Sequence, residues 1–326
     1  MMLFALRESR ELGEAIAREA GMELSPLEER AFEGGEFKLR PLVSVRGQAV
    51  CVVQSLAGSA GVSPAEGLLR LLLLCFGLRD AGATELVALI PYMAFARKDR
   101  RTQPRDPVTT RYVAQLIEAA GVSQVVALDA HNPAAFDNSF RVPVMHLSAR
   151  PLFGAHLCTR IGSTGLVVVS PDVGGIKRVQ LFRELLARQV TAPIDIAFIE
   201  KRRVGGRVSG GTVVGEVRDR PVLVLDDLCA SGGTLIRAAD ALLNAGASEV
   251  RVAVTHAPLP AGMQALLGCA DIAGVIVTDS AGPWLQGLRD PRLEVMSVAP
   301  LFAQSVRRIA GRQPLTPLLD VWPPRG

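Results

Sequence analysis

The sequence predicts an α/β chain of two similar domains, each a mostly parallel sheet flanked by helices. Three observations lead there. The chain has 326 residues, about twice an ordinary domain of roughly 150. Short apolar runs alternate with longer amphipathic stretches, the pattern of parallel strands covered on both faces. The order strand, loop, helix, Ala-Gly turn, strand occurs in both halves.

Taken in order, the strand-like runs are Ala49–Val53, Leu86–Ile90, Val125–Leu128, Leu166–Val169, Ile194–Ile199, Val222–Leu225 and Val250–Val254. Helix-like stretches fall between them at Gly67–Arg79, Thr109–Ala120, Lys177–Arg188 and Gly233–Asn244. The turn Asp80-Ala81-Gly82-Ala83-Thr84-Glu85 of the first half is echoed by Asn244-Ala245-Gly246-Ala247-Ser248-Glu249 in the second, and Ala120-Gly121 makes a third copy. Two explanations stand side by side, duplication of a domain or repeated use of glycine as a left-handed helix cap. The boundaries read as 1–148 for the first domain and 149–310 for the second, with a proline-rich, poorly structured tail over 311–326.

Composition excludes several classes. Hydrophobic residues at 49% and charged residues at 21% describe a packed globular protein rather than a disordered one. The densest apolar stretch, Leu68–Leu78, is short and interrupted by Arg70, well below the 18 or so residues a membrane span needs. No apolar segment of a secretory signal opens the chain, so a cytoplasmic location is expected. Five cysteines scattered over positions 51, 75, 158, 229 and 269 point to reduced thiols, not to a disulfide framework or a zinc site. A net charge of +4, spread evenly, does not call for nucleic acid. Lysine occurs only at 38, 98, 177 and 201 among 36 basic residues, which gives weight to a lysine inside a motif.

The strongest chemical signal is Val222-Leu223-Val224-Leu225-Asp226-Asp227-Leu228-Cys229-Ala230-Ser231-Gly232-Gly233-Thr234. A buried strand ends in two carboxylates and turns through glycines into a helix. Glycine lets the backbone approach a ligand closely, and the helix start favours phosphate. The carboxylates suit a sugar diol or a metal-bound phosphate, and ligands of open α/β sheets bind at the carboxyl ends of strands. Elsewhere Arg97, Lys98, Arg100, Arg101 and Arg105 gather cations on one loop, and Asp129-Ala130-His131 ends a strand with a carboxylate and an imidazole. Asp172 sits in a Pro-Asp-x-Gly-Gly segment that turn chemistry alone would also allow. Lys201-Arg202-Arg203 is either a functional arm or a charged strand end.

The Asp226–Thr234 loop resembles the phosphoribosyl-binding motif of type I phosphoribosyltransferases and of ribose-phosphate pyrophosphokinases. Four further segments resemble the pyrophosphokinases in the family's order: Phe32-Glu33-Gly34-Gly35-Glu36 with Ser44-Val45-Arg46-Gly47, Ile90 to Arg100, Ser170 to Gly175, and Lys201-Arg202-Arg203. The resemblance implies two type I phosphoribosyltransferase-like domains and an attack by the 1-hydroxyl of ribose 5-phosphate on the β-phosphorus of ATP, giving 5-phosphoribosyl 1-diphosphate and AMP. It implies that Phe32, Gly34, Gly35, Glu36, Arg97, Lys98 and His131 serve ATP, Phe32 and Glu36 reaching the adenine from a neighbouring subunit. Mg2+ would meet His131 and Asp172. Asp226, Asp227, Ala230, Ser231, Gly232, Gly233 and Thr234 would hold ribose 5-phosphate. Lys201 and Arg203 would act on the transferring group, Arg203 also meeting the sugar phosphate. A homo-oligomer, a hexamer built from dimers, is implied as well.

The chain departs from the family at four points. Gly34 stands where aspartate is usual, Asn132 follows the histidine, Ala230 replaces aspartate, and Gly82 falls where many members have serine. Alanine at 230 is normal in adenine phosphoribosyltransferases. A phosphoribosyltransferase that consumes the diphosphate is therefore one alternative, and a non-catalytic partner of true synthetase subunits is another.

Overall fold

The computed structural model describes residues 1–58, 61–204, 207–281 and 283–318, without the side chains of 201–204, 207–210, 283 and 286. The chain forms two compact units, the first cut falling between Ser148 and Ala149.

In the first unit the order is β1 (Met2–Ala5), α1 (Arg10–Ala20), β2 (Leu27–Ala31), β3 (Phe37–Pro41), β4 (Ala49–Val53), α2 (Pro64–Asp80), β5 (Glu85–Ile90), α3 (Thr109–Ala119), β6 (Gln124–Leu128), α4 (Pro133–Ser139) and β7 (Val144–Leu147). Five strands make a parallel sheet ordered β1-β4-β5-β6-β7. Val50, Val52, Ala88, Ile90, Val125 and Ala127 pack from the sheet against Leu71, Leu74 and Leu78 of α2 and Ala114 and Ile117 of α3. α2 begins three residues before the apolar periodicity does. Ser63 accepts from the Glu66 N–H at 3.1 Å and Pro64 takes the first helical position, the arrangement in which a cap and a preset φ start a helix. β2 and β3 pair with each other alone, as an antiparallel hairpin.

The second unit runs α5 (Arg150–Leu157), β8 (Leu166–Ser170), α6 (Ile176–Ala187), β9 (Ile194–Val204), β10 (Arg207–Val214), β11 (Pro221–Leu228), α7 (Gly233–Asn244), β12 (Glu249–His256), α8 (Pro260–Gly268), β13 (Gly274–Thr278) and β14 (Leu293–Met296). Its sheet is ordered β10-β9-β8-β11-β12-β13-β14 and is parallel except for the β9–β10 pair. β8 and β13 are buried from end to end, as strands covered by helices on both faces must be.

One segment changes sides. The sequence reading carries the second domain to residue 310, yet α9 (Ala299–Ala310) groups with the first unit, as does Asp279–Trp284. The cause is an apolar stripe of Leu301, Phe302 and Val306 that is buried, with α9 packed along α1. Arg307 adds a bond to the Glu19 carbonyl. The expected loose tail is also more ordered than its prolines indicate. Gln313 N–H bonds the Arg308 carbonyl at 2.7 Å, Arg308 reaches the Pro314 carbonyl, and Leu318 is buried. Residues 319–326 lie outside the described residues.

Candidate functional site

In the first unit the loops after β5 and β6 leave the carboxyl ends of neighbouring parallel strands, where ligands of such sheets bind. The loop after β5 carries Arg97 and Lys98. Arg97 is exposed. Lys98 Nζ lies 2.5 Å from Asp106 Oδ2 and 3.0 Å from Thr102 Oγ1. Asp106 also accepts from the Thr102 and Gln103 N–H groups. These donors, led by the ammonium, hold its carboxyl far below the usual range. The loop after β6 carries exposed His131. It is braced by His146 of β7, whose Nε2 accepts from the Ala130 N–H at 2.6 Å.

Phe32, Gly34, Gly35 and Glu36 sit at the tip of the β2–β3 hairpin. The tip closes through a bond from Phe32 N–H to the Glu36 carbonyl at 2.7 Å, and Phe32 is 42% exposed. Behind the tip, Arg70 of α2 lies 4.6 Å over the Phe37 ring and pairs with Glu66 and Glu29. Burial and the nearby Glu8 push the Glu29 carboxyl up.

In the second unit the site gathers at β8 and β11, which are adjacent. Asp172 caps the turn after β8, its Oδ1 accepting from the Gly174 N–H at 3.0 Å. Asp226 and Asp227 end β11, and a residue that sequence reasoning missed joins them. Arg178, in the first turn of α6, donates from NH1 to Asp226 Oδ1 and from NH2 to Asp227 Oδ1, both at 2.8 Å. Burial pushes Asp226 up to about 7, the neighbouring Asp227 adds to this, and Arg178 opposes it. The signal for Arg178 in the sequence is weak, since a cation one turn into an amphipathic helix is ordinary.

Ala230 to Thr234 form the turn into α7. Gly232 holds φ +77°, and no side chain caps the helix, so its first N–H groups are left for a ligand. A Cβ on Gly232 would stand 2.8 Å from the Gly262 carbonyl oxygen of α8. Glycine is required there on both counts. The backbone of Lys201 and Arg203 belongs to β9, opposite Gly211 and Val208 of β10; their side chains lie outside the described residues.

A carboxylate pair ending a central parallel strand, followed by a glycine turn into an uncapped helix, defines a phosphoribosyl-binding domain of the type I phosphoribosyltransferase class. Residues 152–264 match the phosphoribosyl transferase domain, and residues 1–121 match the N-terminal domain of ribose phosphate pyrophosphokinase. The chain belongs to the ribose-phosphate pyrophosphokinase family. A ribose-phosphate pyrophosphokinase of Hyphomonas neptunium is 34% identical over 98% of this chain and 100% of its own length. That of Caldanaerobacter subterraneus is 35% identical over 95% of this chain and 94% of its own. The crystal structure of phosphoribosylpyrophosphate synthetase from Mycobacterium smegmatis superposes with a TM-score of 0.84 at 32% identity, covering 95% of this chain and 99% of that one.

Proposed function

We propose that the chain transfers diphosphate from ATP to ribose 5-phosphate, making 5-phosphoribosyl 1-diphosphate and AMP for nucleotide biosynthesis. The observation that carries this reading is that both halves match, the N-terminal pyrophosphokinase domain as well as the phosphoribosyl transferase domain. A transferase that consumes the diphosphate needs only the latter. A non-catalytic partner would be expected to lose the acidic pair, the histidine or the lysine, and all are present.

The bond formed joins the sugar O1 to the β-phosphorus. The bond broken is from that phosphorus to the oxygen bridging it to the α-phosphorus, so AMP leaves with the electron pair and the hydroxyl proton passes to solvent. Catalysis then rests on positioning and on neutralising charge. Arg97 and Lys98 hold the ATP phosphates, Lys98 moving from its carboxylate partner Asp106. Phe32, Gly34, Gly35 and Glu36 meet the adenine of a neighbouring copy, which makes the working form a homo-oligomer, a hexamer built from dimers by family likeness. Asp226 and Asp227 accept from the ribose hydroxyls while Arg178 keeps the pair oriented. Ala230 to Thr234 wrap the 5-phosphate, and Lys201 and Arg203 neutralise the transferring group.

Among the described residues no three or more His, Cys, Asp or Glu side chains converge on a point. His131 of the first unit and Asp172 of the second each offer a single donor of a kind magnesium accepts, and magnesium keeps its waters and leans on substrate phosphates. When bound, Mg2+ supplies positive charge along the polyphosphate. The reaction takes place in the cytoplasm.

The test is direct. Purified protein with ATP, magnesium and ribose 5-phosphate should yield AMP and the phosphoribosyl diphosphate in equal amounts by 31P NMR. Diphosphate release from added phosphoribosyl diphosphate and a purine base, with no AMP from ATP, would replace this reading with the transferase.

A further inference from the structure

We propose that Asn132 is a positioning residue for nucleotide binding, its amide tying the cationic loop after β5 to the loop that carries His131. This rests on the reading that Arg97 and Lys98 hold ATP. Asn132 opens α4, and both ends of its amide are engaged. Oδ1 accepts from the Ala135 N–H at 3.2 Å, and Nδ2 donates to Asp99 Oδ2 at 2.6 Å. Asp99 stands inside the cation run, between Lys98 and Arg100.

The same loop is fastened on its other side by α3. The buried Thr110 hydroxyl bonds the carbonyls of Phe95 and Lys98 at 3.1 and 3.2 Å. These fastenings have something to hold. Phe95 has φ +64°, a left-handed backbone that a bulky residue rarely adopts, and such a conformation persists only where surrounding contacts impose it.

The residue type narrows the role further. A helix cap alone would be met equally by aspartate or serine. An ionised aspartate can only accept, whereas an amide accepts at one end and donates at the other. Position 132 uses both functions, and the second serves Asp99 rather than α4.

The experiment separates them. Asn132→Asp keeps the cap and removes the donor to Asp99, and the double variant Asp99→Asn with Asn132→Asp restores the bond with its polarity reversed. The dissociation constant for ATP with magnesium is measured by calorimetry, beside Tm and formation of phosphoribosyl diphosphate. A bond to a charged acceptor is lost, so Asn132→Asp should bind ATP about tenfold more weakly. The double variant should recover to within about threefold, and Tm, lowered in Asn132→Asp where two carboxylates face each other, should recover with it. Should Asn132→Asp fail to fold, Asn132→Ser gives the same reading, since serine caps but is too short to reach Asp99. Wild-type affinity in the single variant, or no recovery in the double one, overturns the proposal. An active wild type with unaffected variants condemns this inference alone. A wild type that binds ATP in an Asn132-dependent way yet makes no phosphoribosyl diphosphate condemns the assigned reaction instead.

Discussion

At the scale of single residues, the Arg178 fork bears on the charge of Asp226, the proposed partner of the ribose hydroxyls. Asp226 is raised to about 7, first by burial and then by Asp227, so its carboxylate forms only as pH rises through that value. A ribose hydroxyl donates to the carboxylate, not to the acid, and kcat/KM for ribose 5-phosphate should therefore fall on the acid side of about pH 7. Arg178 is the restraining influence. Removing an opposite charge at this range moves a carboxyl by roughly 1–3 units, so Arg178→Gln should shift the acid limb upward by at least about one unit. A limb that stays in place would remove Arg178 from the site. Gly34 decides a different question. Its φ is +85° and a Cβ there meets nothing within 4 Å, so aspartate costs only the left-handed backbone, about 1–2 kcal/mol for most residues and less for one tolerant of that region. On the proposed adenine-binding role of the hairpin tip, a carboxylate at this position would accept from the adenine amino group. A bond to a charged acceptor is worth about 1.5–3 kcal/mol, or roughly one to two decades. The protein should accept GTP more readily than its relatives, and Gly34→Asp should restore preference for ATP by that factor in the ratio of kcat/KM values. A strong ATP preference unaltered by the substitution would place adenine reading elsewhere.

At the scale of elements, the turn into α7 depends on its close approach to α8. Gly232→Ala would put a Cβ 2.8 Å from a backbone oxygen at φ +77°, a contact no side-chain rotation relieves. The loop must move, at a cost of about 2 kcal/mol or more. KM for ribose 5-phosphate should rise while KM for ATP changes little, alongside a lower Tm; an equal rise in both would mean that the turn does not hold the sugar phosphate. Much of this level is legible in the sequence, because the buried parallel strands are apolar without interruption and α7 follows its glycines directly. The β2–β3 hairpin is not. Only β3 alternates, half-buried Phe37 and Leu39 against exposed Lys38 and Arg40, while β2 is mostly charged; the ion pairs of Glu28 with Lys38 and Arg40 and the stacking of Arg70 on Phe37 join the two strands. The first turn of α2 escapes periodicity because capping by Ser63, not burial, places it. α9 is misassigned because sequence order says nothing about which apolar stripe covers it. The acidic pair and the glycine loop announce themselves by composition, whereas Arg178 and the Asn132 bridge exist only once the chain has folded.

At the scale of the whole molecule, the two units repeat one plan. Gly47 and Asp219 both take left-handed backbone, and their N–H groups bond the carbonyls of Gly82 and Gly246, each at 2.8 Å. Thr84 and Ser248 then return bonds to Gln48 and Arg220 at 2.9 and 3.0 Å. A helix-capping preference accounts for the two glycines but not for the matching partner turns, so duplication is the better explanation of the echo. In this plan each unit is built on its own apolar sheet. That separates the role of magnesium from the fold. On the proposed reading, in which few protein groups meet the ion, magnesium binds weakly without nucleotide. A cation held with a Kd near its own concentration adds only about 0.4 kcal/mol, which moves Tm by less than about 2 °C in a chain of this size. Excess EDTA should therefore abolish turnover and leave Tm nearly unchanged. Added Mg2+ should restore activity fully, and Ca2+ poorly, because calcium's longer bonds and looser geometry fit a polyphosphate clamp less well. Full turnover in EDTA would refute the diphosphate-transfer mechanism. A large fall in Tm on chelation would reveal a structural ion, and His131 and Asp172 could not then be its sole protein ligands.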